Sequence, residues 1–236
     1  MATLFMVATP IGNLNDITLR ALETLREVDI IACEDTRHSQ RLLNHFSIQK
    51  RLIACHAHNE QSSASGIVKL LTEGNSVAFI SDAGTPGISD PGARVVQAVR
   101  NAGFPVVPIP GASAVAAIVS VSGFTGKNFT FEGFLSPKSG RRRTRLTQLL
   151  QRNEAFILYE SPFRVVKLLA DLAQLAPDRR VLIGRELTKT FEELLEGSAK
   201  EIFEAFSQRA SIKGEFALCI SPQETQTSEQ DDEETP

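Results

Sequence analysis

The chain has no tryptophan and one tyrosine among 236 residues, so it lacks the aromatic platforms on which a general single-strand nucleic-acid binder stacks successive bases. Its three cysteines, Cys33, Cys55 and Cys219, form no C-x-x-C pair, which excludes a disulfide framework and leaves buried, reduced thiols as the expectation. No apolar run approaches the roughly 20 residues of a membrane helix. The N-terminus moves straight into the strand-like Leu4 to Ala8 without a basic leader, and a cytoplasmic protein is expected. Lysine and arginine are missing from the whole stretch between Ser81 and Ala93. That stretch contains three glycines and two prolines, and without a lysine it is no Walker-type triphosphate cradle.

The net charge of −3 misleads. Residues 223–236 hold six acidic groups and no basic one, a composition expected to be disordered. Residues 1–222 carry all 25 basic side chains and 22 of the 28 acidic ones, a mildly basic body that permits a polyanionic partner. With 42% hydrophobic and 22% charged residues, the composition is that of an ordinary globular protein with a sizeable core.

Short apolar runs recur at Leu4 to Ala8, Asp29 to Cys33, Leu52 to Cys55, Val77 to Ile80 and Val106 to Ile109, separated by segments of helical period. Strands alternating with helices predict an α/β fold with a mostly parallel sheet covered on both faces. After a small-residue helix over Ala112 to Val121, the polar segment Ser122 to Asn128 marks a boundary. The expected organisation is an N-terminal α/β domain over 1–121, a C-terminal α/β domain over 122–222, and the acidic tail over 223–236. Two such domains would leave a ligand cleft between them.

Candidate chemistry gathers at strand ends. The loop Ser81 to Gly92 follows a strand and precedes a helix, the usual ligand position in open α/β sheets. Asp90 as a cap before Pro91 accounts for its second half, while Asp82 to Gly87 are left for a neutral or cationic ligand. The first loop, Ala8 to Leu14, together with Glu34 and Asp35 at the second strand's end, echoes a dinucleotide site, but Gly12 is its only glycine. Asp35 suits a cap for a helix beginning at Thr36, yet Glu34, Asp35, Thr36, Arg37 and His38 are more polar groups than one cap requires, which favours substrate contact. His56 and His58 have no third ligand at suitable spacing, so no metal is expected, and with Asn59 and Glu60 they suit a polar substrate. Pro110 to Ala114 opens a helix whose free N–H groups and small residues suit a ligand or tight packing. Lys138, Arg141, Arg142 and Arg145 share one face of a basic helix, able to neutralise phosphates or simply to face water.

The strings Val7 to Asp16, Cys33 to Arg37, His56 to Glu60, Ser81 to Gly92 and Pro108 to Ser113, continued by Phe131 to Leu135, Tyr159 to Arg164 and Gly184 to Glu193, resemble the ribosomal RNA small subunit methyltransferase I family. It is the ribose 2′-O-methyltransferase branch of the tetrapyrrole methylase superfamily, and the resemblance covers residues 4–221. It implies a homodimer of two-domain chains with S-adenosyl-L-methionine held in the domain cleft rather than along the first glycine loop. By position, the cofactor would meet Pro10, Ser81, Asp82, Ala83, Gly84, Thr85 and Ile88, Ala112 and Ser113, and Tyr159. The implied substrate is a cytidine ribose in the decoding region of small-subunit (16S) ribosomal RNA. Tetrapyrrole-modifying relatives, the competing small-molecule reading, usually have a more glycine-rich first loop and lack the string from Glu34 to Arg37. Longer relatives carry a C-terminal helical extension where this chain has its acidic tail.

Methyl transfer from a sulfonium to a 2′-hydroxyl needs in-line placement and a way to remove a weakly acidic proton. Glu34 or Asp35 is the expected proton acceptor or ribose anchor. Thr36, Arg37, His58 and Asn59 are expected to orient the nucleotide, with Lys138, Arg141, Arg142 and Arg145 on the RNA backbone. Glu160 and Glu186 are the competing carboxylates.

Overall fold

A computed structural model describes residues 2–55 and 60–223, with side-chain surroundings given for all of these except Glu60. His56, His58 and Asn59, and the acidic tail beyond Gln223, lie outside the described residues.

The chain divides into two compact units: residues 1–120 with 185–193, and residues 121–184 with the remainder. The first unit alternates strand and helix: β1 (Leu4–Val7), α1 (Leu19–Glu27), β2 (Ile30–Cys33), α2 (Thr36–His45), β3 (Arg51–Ala54), α3 (Glu60–Thr72), β4 (Val77–Ile80), α4 (Ala93–Asn101) and β5 (Val106–Ile109). The helix α5 (Ala114–Ser122) follows. Its five strands are all parallel, in the order β3-β2-β4-β1-β5. A dinucleotide fold keeps β1 beside β2; here β4 lies between them.

The faces follow from the connections. Movement from β1 to β2 to β3 runs one way across the sheet and movement from β3 to β4 to β5 runs back, so right-handed crossovers place α1 and α2 on one face and α3 and α4 on the other. Two cores result. Leu25 of α1 and Leu43 of α2 pack with Val7, Ile31 and Ile80; Ile67 and Leu71 of α3 and Val95 and Val99 of α4 pack with Leu4, Ala32 and Phe79. Covered on both sides, β2 and β4 are buried at every residue, which is why they read as unbroken apolar runs. Burying each Leu or Ile side chain contributes about 1.5–3 kcal/mol.

The second unit runs β6 (Phe129–Phe134), α6 (Ser139–Leu150), β7 (Ala155–Glu160), α7 (Val165–Leu175), β8 (Arg180–Arg185), β9 (Glu193–Ser198), α8 (Ala199–Ser207) and β10 (Phe216–Ile220). Its sheet has the order β6-β7-β10-β8-β9 and is mixed, with β6 parallel and β10 antiparallel to β7. Leu146 of α6, Leu169 of α7 and Ile202 of α8 join one core with Phe156, Ile183 and Leu218, so these three helices share one face of the sheet. A capping box between Ser198 and Glu201 starts α8. Among the described residues, no helix is long and apolar enough to cross a membrane.

Candidate functional site

Because all strands of the first sheet are parallel, the loops after β1, β2, β4 and β5 leave from one edge. The chain leaving β1 and β2 turns to one face while the chain leaving β4, their shared neighbour, turns to the other. That reversal opens a crevice beside the end of β4, the topological switch point at which open α/β sheets bind ligands.

Side chains and backbone tie these loops together at residues 81–85. Thr9 donates its N–H to the Gly84 carbonyl (2.9 Å) and accepts from the Gly84 N–H (3.1 Å), a two-bond bridge between the β1 and β4 loops. The buried Thr9 hydroxyl also donates to the Ser81 carbonyl at 3.2 Å. Thr85 donates its hydroxyl to the Ala112 carbonyl at 3.1 Å, securing the β5 loop, and the Asp35 N–H donates to Asp82 Oδ1 at 3.1 Å, securing the end of β2. Ser81 is buried and its hydroxyl donates within the loop, towards the Ala83 and Gly84 carbonyls. Gly84 has φ +78°, a conformation that favours glycine, and a Cβ there would press on Ile11 Cγ2 at 3.1 Å.

The structure therefore brings Pro10, Ser81, Asp82, Ala83, Gly84, Thr85, Ala112 and Asp35 to one place. Thr9 was not singled out from the sequence, although a hydroxyl one residue past an apolar strand is the kind of group that clamps two loops. Residues 185–193 also belong to this unit: Lys189 lies so close to Gly12 that a Cβ on the glycine would meet Lys189 Cγ at 2.2 Å. Its ammonium pairs with Glu186 at 2.8 Å.

Asp35 is the N-cap of α2. Its Oδ1 accepts from the N–H groups of Arg37 (2.8 Å) and His38 (3.4 Å), and these bonds hold the carboxyl below the usual carboxylate range. A carboxylate so committed is a weak proton acceptor. Burial pushes the nearby Cys33 thiol up. Asp90 does not cap α4 as its sequence position suggests; the N-cap is Gly92, at φ +145° and without a side-chain cap.

The basic helix α6 belongs to the second unit and corrects the expectation of a shared phosphate-facing side. Arg142 is buried, with Nε donating to Asp171 Oδ2 at 2.7 Å, because α6 turns this position towards α7. Arg145 forms a two-pronged pair with Glu132, at 2.7 and 2.6 Å, and that pair raises the guanidinium pKa. Lys138 and Arg141 remain exposed. Tyr159, also in the second unit, stands edge-on to Phe131 and Phe134, at centroid distances of 5.0 and 5.7 Å.

Comparison with known proteins gives this arrangement a family. Residues 3–202 match the model of the Tetrapyrrole (Corrin/Porphyrin) Methylases. The chain is 47% identical, over 96% of its length and 78% of the relative's, to ribosomal RNA small subunit methyltransferase I of Neisseria meningitidis serogroup B. It is 43% identical, over 95% of its length and all of the relative's, to the protein of the same name from Thermotoga maritima. Among solved structures it shares the fold of a diphthine synthase with a TM-score of 0.72, at 14% identity over 93% of this chain and 90% of that one. On this similarity, and with the β4 loop placed at the switch point, the chain belongs to the tetrapyrrole methylase family and, within it, to the group named ribosomal RNA small subunit methyltransferase I.

Proposed function

We propose that the protein transfers a methyl group from S-adenosyl-L-methionine to the ribose 2′-hydroxyl of a cytidine in the decoding region of small-subunit (16S) ribosomal RNA. The observation that carries this reading is the 43–47% identity, over most of the chain, to proteins named for small-subunit ribosomal RNA methylation. Likeness to tetrapyrrole-modifying enzymes rests on identities of only 14–16% and is a likeness of fold.

The residues at the switch point fit the cofactor chemically. They are mostly small, they offer backbone groups at close range, and the carboxylate of Asp82 has no lysine or arginine in its own loop to compete with a bound cation for it. In the proposal Pro10, Ser81 to Thr85, Ile88, Ala112 and Ser113 hold S-adenosyl-L-methionine, whose sulfonium supplies an already activated methyl group. The chain's own work is to position the ribose and take its proton. The bonds joining Thr9, Thr85 and Asp35 to their neighbours fix the loops before substrate arrives. Holding a ribose hydroxyl in line with the methyl sulfonium can supply up to about 7–11 kcal/mol of barrier lowering, and fixed loops serve that placement. Glu34, next to the cap and not the cap itself, is the proposed proton acceptor. Asp35 instead holds the start of α2, from which Thr36 and Arg37 reach the nucleotide. A homodimer working in the cytoplasm is part of the same proposal.

The test is incubation of the purified protein with methyl-labelled S-adenosyl-L-methionine and undermodified small ribosomal subunits, followed by digestion of the RNA. Label in 2′-O-methylcytidine is the expected result. Absence of label, despite measured cofactor binding and an active control enzyme, rejects the RNA reading in favour of a tetrapyrrole or another small acceptor.

A further inference from the structure

An open groove of about 540 Å³ runs along α2, lined by Thr36, Arg37, Gln40, Arg41, Asn44 and Leu52. No carboxylate lines it. Four of these positions, 37, 40, 41 and 44, share a helix face opposite the buried Ser39 and Leu43. Gln40 and Asn44 hold each other by a hydrogen bond of 2.8 Å, which leaves the two guanidiniums as the groove's charge. The Arg37 side chain is 90% exposed and touches Asp35 only loosely, at 3.7 Å; Arg41 is exposed and has no ion pair among the described residues. One helical turn separates them, about 6 Å along the axis. The groove begins at Thr36, one residue after Asp35, the cap of α2, whose N–H donates to Asp82 of the β4 loop.

An open groove of about 700 Å³ in the second unit is different. Its Arg180 pairs with Glu196, its Arg179 donates to the Ser221 carbonyl, and Asp178 lines it. A charge already matched by a neighbouring carboxylate or carbonyl gives a phosphate little to gain.

We propose that the α2 groove carries the RNA backbone next to the methylated nucleotide, with Arg37 and Arg41 each taking a phosphate of one strand. This rests on the RNA reading above and extends it from the reacting ribose to its neighbours. Arg41, unremarkable in the sequence, becomes a substrate-binding residue. Two guanidiniums spaced by a turn suit successive phosphates, and the uncharged amide pair beside them, Gln40 with Asn44, tolerates any base.

The test measures binding of a small-subunit RNA fragment, and methyl transfer to undermodified subunits, for wild type, Arg41→Gln, Arg37→Gln with Arg41→Gln, Arg41→Lys, and Arg100→Gln as an exposed control on α4. The expected loss of RNA affinity is about tenfold per arginine, with KM rising, kcat and cofactor affinity little changed, and Arg41→Lys recovering most of the loss. The slope of log affinity against log salt should flatten by about 1.4 for the double variant, as two single-strand phosphate contacts require. Unchanged affinity and KM in the double variant, with an active wild type, overturns the groove proposal alone. A defect seen on assembled subunits but not on naked RNA also overturns it, because the groove then meets a ribosomal protein. An inactive wild type rejects the RNA reading itself, and the groove with it.

Discussion

Helix α6 carries four arginines between 141 and 145; helix α2 carries two, at 37 and 41. By count α6 is the stronger anion site, and by structure it is the weaker. Arg142 and Arg143 both engage Asp171, Arg145 engages Glu132, and of the four only Arg141 is exposed with no ion pair among the described residues. The two arginines of α2 face an open groove with no acid in its lining. Proximity of carboxylates, 13 to 29 residues away in the chain, decides which arginines hold the fold together and which are left for a ligand.

The largest expected effect tests the structural half of this contrast. Arg142→Ala leaves Asp171 buried beside a single, half-exposed arginine and should cost about 3–5 kcal/mol, read as a fall in denaturant midpoint. Replacing both members, Arg142→Met with Asp171→Leu, should recover much of that loss; if the double variant is as unstable as the single one, the pair is not what the helix contact depends on. Next in size, Lys138→Gln with Arg141→Gln should change RNA affinity less than about twofold, against the tenfold steps expected on α2. An equal loss on both helices would erase the distinction between them. Glu132→Gln removes the carboxylate charge opposite the partly exposed Arg145 and should lower stability by about 1 kcal/mol or less, checked by urea denaturation. For Arg41→Ala, no more than about 0.5 kcal/mol is expected in the same measurement.

A pH-dependent effect concerns the start of α2. Because two N–H groups hold the Asp35 carboxyl below its ordinary value, its stabilising contribution is complete above about pH 4 and is lost as pH falls through the folded value. Asp35→Ala should therefore melt a few degrees below wild type at pH 7, with the gap closing in acid. A gap that persists unchanged into acid would show that the cap's charge plays no part.

Much of this was legible in the sequence, for identifiable reasons. Strands β2 and β4 appear as apolar runs because strands buried on both faces of a parallel sheet have no polar face to alternate. The cap at Asp35 is a local pattern, and so is the loop from Ser81. What was hidden depends on distance along the chain. The insertion of β4 between β1 and β2 is a matter of neighbours, which periodicity does not encode. Strand β9 has alternating exposure and two glutamates, so it reads as charged surface. The fate of Arg142 was set by Asp171, one helix away. Gly92 displaced Asp90 as a cap because the chain reaches φ +145° there, a turn that only the folded loop reveals.

One feature of the fold bears on how the chain is made. Residues 185–193 complete the first unit although 64 residues of the second, 121–184, precede them. During synthesis from the N-terminus, the five-stranded sheet can form once β5 has emerged, but Gly12 gains the stem of Lys189 only about eighty residues later. The first unit is thus left unfinished through most of translation, and a fragment ending at residue 120 would keep the sheet while lacking the segment that closes over its first loop.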